Sequence, residues 1–182
     1  MKKKLLVITT FFVVIGCNTE PSDERKELTS KEFFQELENL NDSLINLKPI
    51  HFNLQKELGI NVKNKAISLY NKNESDFSNK EVEFLLSCAA KSSEILKQYE
   101  DAQNYYLKLQ NKFPNGENAP VYLHNRARIL DDLLKDKNNA RLAYEDLIFL
   151  YPEHPLSKNA VIYLENIFGK SNEELLELIK SN

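Results

Sequence analysis

Any chemistry in this chain would have to come from three histidines, two cysteines and a few paired carboxylates. His51, His124 and His154 stand far apart, and none meets a second histidine, a cysteine or a carboxylate cluster at metal-ligand spacing. His154 precedes Pro155 and reads as a turn or helix-start residue, while His124 falls on the polar side of an amphipathic stretch. The acidic pairs Asp131-Asp132 and Glu173-Glu174 read as solvated helix faces, because a general acid and base need a pocket that tunes them. Gly59, Gly116 and Gly169 are too scattered to cradle a phosphate. Cys88 lies among Leu85, Leu86, Ala89 and Ala90, where a thiol packs as a small inert hydrophobe. These residues predict no catalysis, no metal and no cofactor.

Cys17 has a different setting. Lys2, Lys3 and Lys4 precede an apolar run from Leu5 to Ile15, too short to span a bilayer as a helix but right for the core of a signal peptide. The run closes on Val14-Ile15-Gly16-Cys17, which resembles the bacterial lipoprotein processing box: a branched aliphatic, a small residue, then the cysteine that takes the lipid. Val14 stands where leucine is commoner. The resemblance implies that residues 1–16 are a signal peptide and that Cys17 anchors the chain in the outer membrane, facing the periplasm. Glu20, Asp23 and Glu24 are similar to the acidic stretch that sends some such lipoproteins to the cell surface. One acyl chain anchors only marginally, at about 0.8 kcal/mol per buried CH₂, so the several chains of a lipoprotein imply permanent attachment. Residues 17–28 are polar and read as a flexible tether.

The formal charge is −3, and removing Lys2, Lys3 and Lys4 with residues 1–16 makes it −3 − 3 = −6. Nothing in that balance suggests a nucleic-acid partner, which would need a basic face. With 182 residues, 42% apolar and 28% charged, the chain is one globular domain with an appendage, and its four glycines suit helices joined by short connections.

Helix-start signals recur. Thr29-x-x-Glu32, Ser78-x-x-Glu81 and Ser171-x-x-Glu174 match the capping box, in which hydroxyl and carboxylate each satisfy an orphan backbone N–H. Behind the first, Phe33, Phe34, Leu37, Leu40, Leu44 and Leu47 form one helical face that Pro49 ends. Residues 50–61 read as a short helix closing at Gly59, so residues 29–61 form an N-terminal helical segment. From Val62 one phrase is written three times: Ala66/Tyr70/Phe77, Ala102/Tyr106/Phe113 and Ala140/Tyr144/Tyr151, at intervals of 36 and then 38 residues. Each Ala-to-aromatic segment predicts about three turns of helix. The Ala is small where two helices cross, the Tyr one turn on fills the gap that opens, and Pro114 or Pro152 stops the helix. In the first copy Ser78 replaces the proline. Longer amphipathic stretches over residues 79–98 and 118–135 alternate with these segments, and a closing helix spans 155–168. Residues 169–182 read as a last helix capping the end of the stack.

This pattern resembles the tetratricopeptide repeat, whose second helix carries a small residue, an aromatic four later and a proline twelve later, as Ala102 to Pro114 and Ala140 to Pro152 do. The period exceeds that family's usual length, and the Trp, Leu-Gly and Tyr of its first helix are missing. Longer units ending in aromatic-Pro are similar to those of the repeat-bearing lipoprotein of the outer-membrane β-barrel assembly machinery and of the Tol-Pal-associated coordinator. The resemblance covers residues 62–168. It implies an all-α, right-handed solenoid of helix-turn-helix units with about seven to nine helices. It also implies a scaffold that binds a protein partner in the cell envelope, as in outer-membrane protein assembly. A division or Tol-Pal-linked coordinator, and an uptake accessory binding a small ligand or glycan, are the alternatives.

In that family the first helix of each pair lines a concave groove. Here the lining falls on Glu83, Ser87 and Lys91, then on His124, Asn125, Arg128 and Asp132, with Asn125 and Arg128 placed to receive a carboxylate or backbone of an extended peptide. Tyr105 and Tyr163 read as packing residues or exposed anchors.

Overall fold

The computed structural model describes residues 29–48 and 50–181. The expected signal peptide, Cys17, the tether and Pro49 lie outside those residues. Among the described residues are α1 (Ser30–Ile45), α2 (Phe52–Asn73), α3 (Asn79–Ile95), α4 (Tyr99–Lys112), α5 (Ala119–Arg128), α6 (Lys137–Leu150), α7 (Pro155–Asn166) and α8 (Asn172–Ser181), with no strand. The chain is all-α over this span.

Local chemistry sets the helix ends. Thr29 and Ser78 close reciprocal capping boxes, their N–H groups donating to Glu32 at 2.8 Å and Glu81 at 2.7 Å. The N–H of Ser171 donates likewise to Glu174, at 2.7 Å. These bonds hold all three carboxyls below the ordinary glutamate range. Pro114 and Pro152 follow the caps Phe113 and Tyr151 directly, and His154 Nδ1 accepts the N–H of Leu156 to start α7. The α3–α4 turn and its counterpart before α6 both place a lysine, Lys97 or Lys135, at a φ of +60°. A Leu-Lys pair five residues before the Ala of the phrase is thus a second repeated feature, Leu96-Lys97 and Leu134-Lys135.

From α2 to α7 each helix packs on its predecessor, and α5 also meets α7. Three apolar clusters result. Ala66 joins Leu37, Leu44, Val62, Leu69, Leu85 and Ala89; Ala102 joins Val82, Leu86, Ala90, Tyr106 and Leu109; Ala140 joins Leu123, Ala127, Tyr144, Leu147 and Ala160. Each phrase alanine is fully buried and shares its cluster with an alanine of another helix, which is the close crossing its size allows. Helix α3 feeds two clusters, through Leu85, Cys88 and Ala89 on one side and Val82, Leu86 and Ala90 on the other. It is therefore covered on two sides and retains one polar strip.

The structure corrects several expectations. Residues 50–61 do not end at Gly59; α2 runs through to Asn73, so the expected boundary at residue 62 falls inside a helix. Gly59 lies against Leu96 and Ile95 of α3, where an added Cβ would stand 3.5 Å and 3.6 Å away, and this packing outweighs glycine's poor helix propensity. Phe77 falls beyond α2, after a 3₁₀ turn over Glu74–Asp76, rather than on the helix with Ala66 and Tyr70. The stretch 118–135 is not one regular helix: α5 passes at Ile129–Leu133 into a π turn. Asp131, expected on a solvated face, is fully buried there. Helix α8 leaves Leu176 and Ile179 exposed, so its apolar face covers no core as an end cap would.

The crossings generate two stability predictions. Ala102→Leu would overpack the second cluster and lower unfolding free energy by about 1–3 kcal/mol, whereas Asn104→Leu on the exposed side of α4 would leave it nearly unchanged; urea melts decide. Ser93 is buried with its hydroxyl unpartnered, so Ser93→Ala raises stability by about 1 kcal/mol in the same assay.

Candidate functional site

The odd-numbered helices carry the residues left over when the apolar faces are buried. On α3 these are Lys80, Glu83, Ser87 and Lys91, at the three- and four-residue steps of a single helical face. With Asn118, Tyr122 and Asn125 of the next odd helix they line a cavity of about 590 Å³. Its centre is a hydrogen-bonded knot. The Tyr122 hydroxyl donates to Glu83 Oε1 at 2.5 Å, Asn118 Nδ2 donates to the same oxygen at 3.3 Å, and Ser87 Oγ lies 3.4 Å from the Tyr122 hydroxyl. Burial first, and then Glu83, push the Tyr122 phenol up to about 12, so it stays a neutral hydroxyl that donates to Glu83.

Two further cavities continue the series. One of about 530 Å³ lies between α1 and α3, lined by Lys31, Phe34, Gln35, Glu38 and Glu81, and shares Lys80 and Phe84 with the first. The other, about 450 Å³, lies between α5 and α7 and is lined by His124, Arg128, Asp132, Tyr144, Asn159 and Tyr163 among others. Phrase tyrosines of the intervening helices close the last two: Tyr106 of α4 in one, Tyr144 of α6 in the other. A smaller cleft of about 220 Å³ is lined by α2, α3 and α4.

The seven residues expected to line a groove separate into two neighbouring cavities, with Glu83, Ser87 and Lys91 in the one shared by α3 and α5. His124, Arg128 and Asp132 converge between α5 and α7, while Asn125 turns to the cavity shared with α3. Glu94 of α3 already pairs with one nitrogen of the Arg128 guanidinium, which is partly exposed. Glu94 also accepts the Tyr106 hydroxyl at 2.7 Å. Burial, seconded by Glu94, therefore raises the Tyr106 phenol far above its ordinary range. Asp131 is held by Lys137 and by the Tyr163 hydroxyl, at 2.6 Å. Tyr163 is thus a hydrogen-bonded packing residue, its ring 5.3 Å from that of Tyr144.

No family model, curated protein or solved structure matches this chain. The chemistry of the site rests on its own residues. Among the described residues no three His, Cys, Asp or Glu side chains are grouped to hold a metal ion. Cys88 is buried, and desolvation pushes its thiol up to about 12. No helix among the described residues is long and apolar enough to cross a membrane. What the three cavities offer is an open surface in which ordered donors and acceptors alternate with apolar side chains.

Glu94, Tyr122 and Asp131 are the parts that sequence reasoning missed. A signal for the first existed, because Glu94 and Asp132 stand 38 residues apart, the interval that separates Ala102 from Ala140. Tyr122 looked like one more apolar-face residue, and the polar bond at its tip shows only when α3 lies beside it.

His124 gives a pH prediction. Burial holds its imidazole below the usual 6.5; a hydrogen bond donated to Asn125 opposes this, and Arg128 lowers it further. The folded state thus favours neutral His124, whose contribution is intact above pH 6.5 and fades as pH falls through that value. Chemical denaturation between pH 5 and 7 should lose part of its pH slope in His124→Gln; an unchanged slope contradicts this.

Proposed function

We propose that this chain is a tetratricopeptide-like lipoprotein, tethered through Cys17, that binds an extended segment of a protein partner in the bacterial cell envelope. The binding surface is the run of cavities along α1, α3, α5 and α7, and the chain acts as a scaffold without catalysing a reaction. The observation that carries this reading is the succession of open cavities between consecutive odd helices, each lined by hydrogen-bonding and apolar side chains together. Helices packed in chain order, with an Ala buried at each crossing and the phrase Tyr buried at the second and third, support a solenoid whose first helices share one face. An open groove that sets hydrogen-bonding groups among apolar ones suits an extended peptide better than it suits enclosing a small substrate.

Photo-crosslinking in cells tests the surface. A photoreactive residue at Ser87 or Asn125 should capture a protein partner, while the same residue at Asn104 of α4 or Glu145 of α6 should not. Capture from the even helices alone would overturn the groove. Lipid-precursor labelling tests the anchor: Cys17→Ala should abolish incorporation, and undiminished labelling would refute it.

A further inference from the structure

We infer that the cavity between α5, α6 and α7 receives the basic side chain, arginine or lysine, of the bound peptide, with Asp132 as its counter-ion beside the rings of Tyr144 and Tyr163. This inference rests on the groove reading and gives one subsite its chemistry.

The first observation is Tyr144. It is only 5% exposed and lines the cavity, yet its hydroxyl has no hydrogen-bond partner among the described residues. The corresponding tyrosine of the preceding phrase, Tyr106, donates to Glu94, and Arg128 from the next odd helix pairs with that same carboxylate. Tyrosine, carboxylate and guanidinium thus form a closed set between α3, α4 and α5.

Thirty-eight residues after Glu94 stands Asp132, at the interval that relates Tyr106 to Tyr144. Here the set is incomplete. Asp132 is exposed and makes no ion pair or hydrogen bond among the described residues. Helix α7 contributes Asn159, Ala160, Ile162, Tyr163 and Ile167 to the cavity, and no cation. Its lysine, Lys158, is directed to Glu153 at 3.3 Å. The one cation in the lining, Arg128, already belongs to Glu94.

The surroundings favour positive charge. Tyr144 and Tyr163 offer aromatic rings, and a cation against such a ring is attracted by its quadrupole. Burial leads the upward shift of the Tyr144 phenol, to about 12; Asp131 and Asp132 follow, and both outweigh Arg128. Nearby, the chain already places Lys137 and Arg141 over the ring of Phe168, at 5.1 and 4.8 Å. The cavity, about 450 Å³, has room for one long side chain with some of its water.

The test is a ¹⁵N-NMR titration of the full chain with acetyl-Gly-Gly-Arg-Gly-Gly-amide and with its twin carrying neutral, nearly isosteric citrulline. The arginine peptide should shift the signals of Asp132, Tyr144 and Tyr163 saturably. The citrulline twin, or the arginine peptide with Asp132→Asn, should bind at least about tenfold more weakly. Asn104→Ala, on the exposed side of α4 and outside the cavities, should leave the titration unchanged. Equal binding of the two peptides, no saturable shift at these residues, or undiminished binding by Asp132→Asn would each overturn the inference. Crosslinking from Ser87 and Asn125 would still report on the groove, so failure of the subsite and failure of the groove are distinguishable.

Discussion

Everything in this fold depends on how closely two helices approach at a buried alanine. Ala66, Ala102 and Ala140 have no exposed surface, and each shares a cluster with a further alanine, Ala89, Ala90 or Ala127. Without a side chain beyond Cβ, the backbones come near enough that the tyrosine one turn later reaches across. In the second and third copies that tyrosine is almost wholly buried. Burying a large ring stabilises by roughly 1.5–3 kcal/mol, but a phenol in such a place must find a partner or face a cavity. Tyr106 finds Glu94; Tyr144 faces a cavity. The packing rule thus generates the polar features of the groove.

Helix α3 shows the same logic at the scale of a whole element. Its apolar residues feed two clusters on adjacent sides, so the positions left to it form one strip, Lys80, Glu83, Ser87 and Lys91. A helix sandwiched in this way cannot choose where its polar residues go. The groove is the residue of that constraint, and the odd helices repeat it on each side of α3. The π turn at Ile129–Leu133 carries Asp131 into the interior, where Lys137 and Tyr163 hold it, while Asp132 beside it stays at the surface. Two adjacent aspartates thereby have different tasks, one structural and one facing the cavity.

Much of the architecture was legible in the chain. The capping boxes, the prolines after Phe113 and Tyr151, and the Ala-Tyr spacing are local signals, and local signals survive without a structure. What was not legible came from contacts between helices. Gly59 looks like a stop until Leu96 and Ile95 pack against it. Asp131 looks solvated until the π turn rotates it inward, and a π turn has no sequence signature of its own. The exposed apolar face of α8 shows the same limit, since amphipathicity says that a face is apolar and not what covers it. Among the groove residues, the helix of each was foreseen and its partner was not, most clearly for Arg128 and Glu94.

Native-state hydrogen exchange on the full chain measures the central claim most directly, because it reports which amides open together. If buried Ala-Tyr crossings hold the stack, the slowest amides will lie in α3, around Ala102 to Leu109 and around Ala140 to Leu147, with α8 exchanging fastest among the helices. Ala102→Leu should then speed exchange in both α3 and α4 at once. Slow exchange centred on α8, or acceleration confined to α4, would contradict the account.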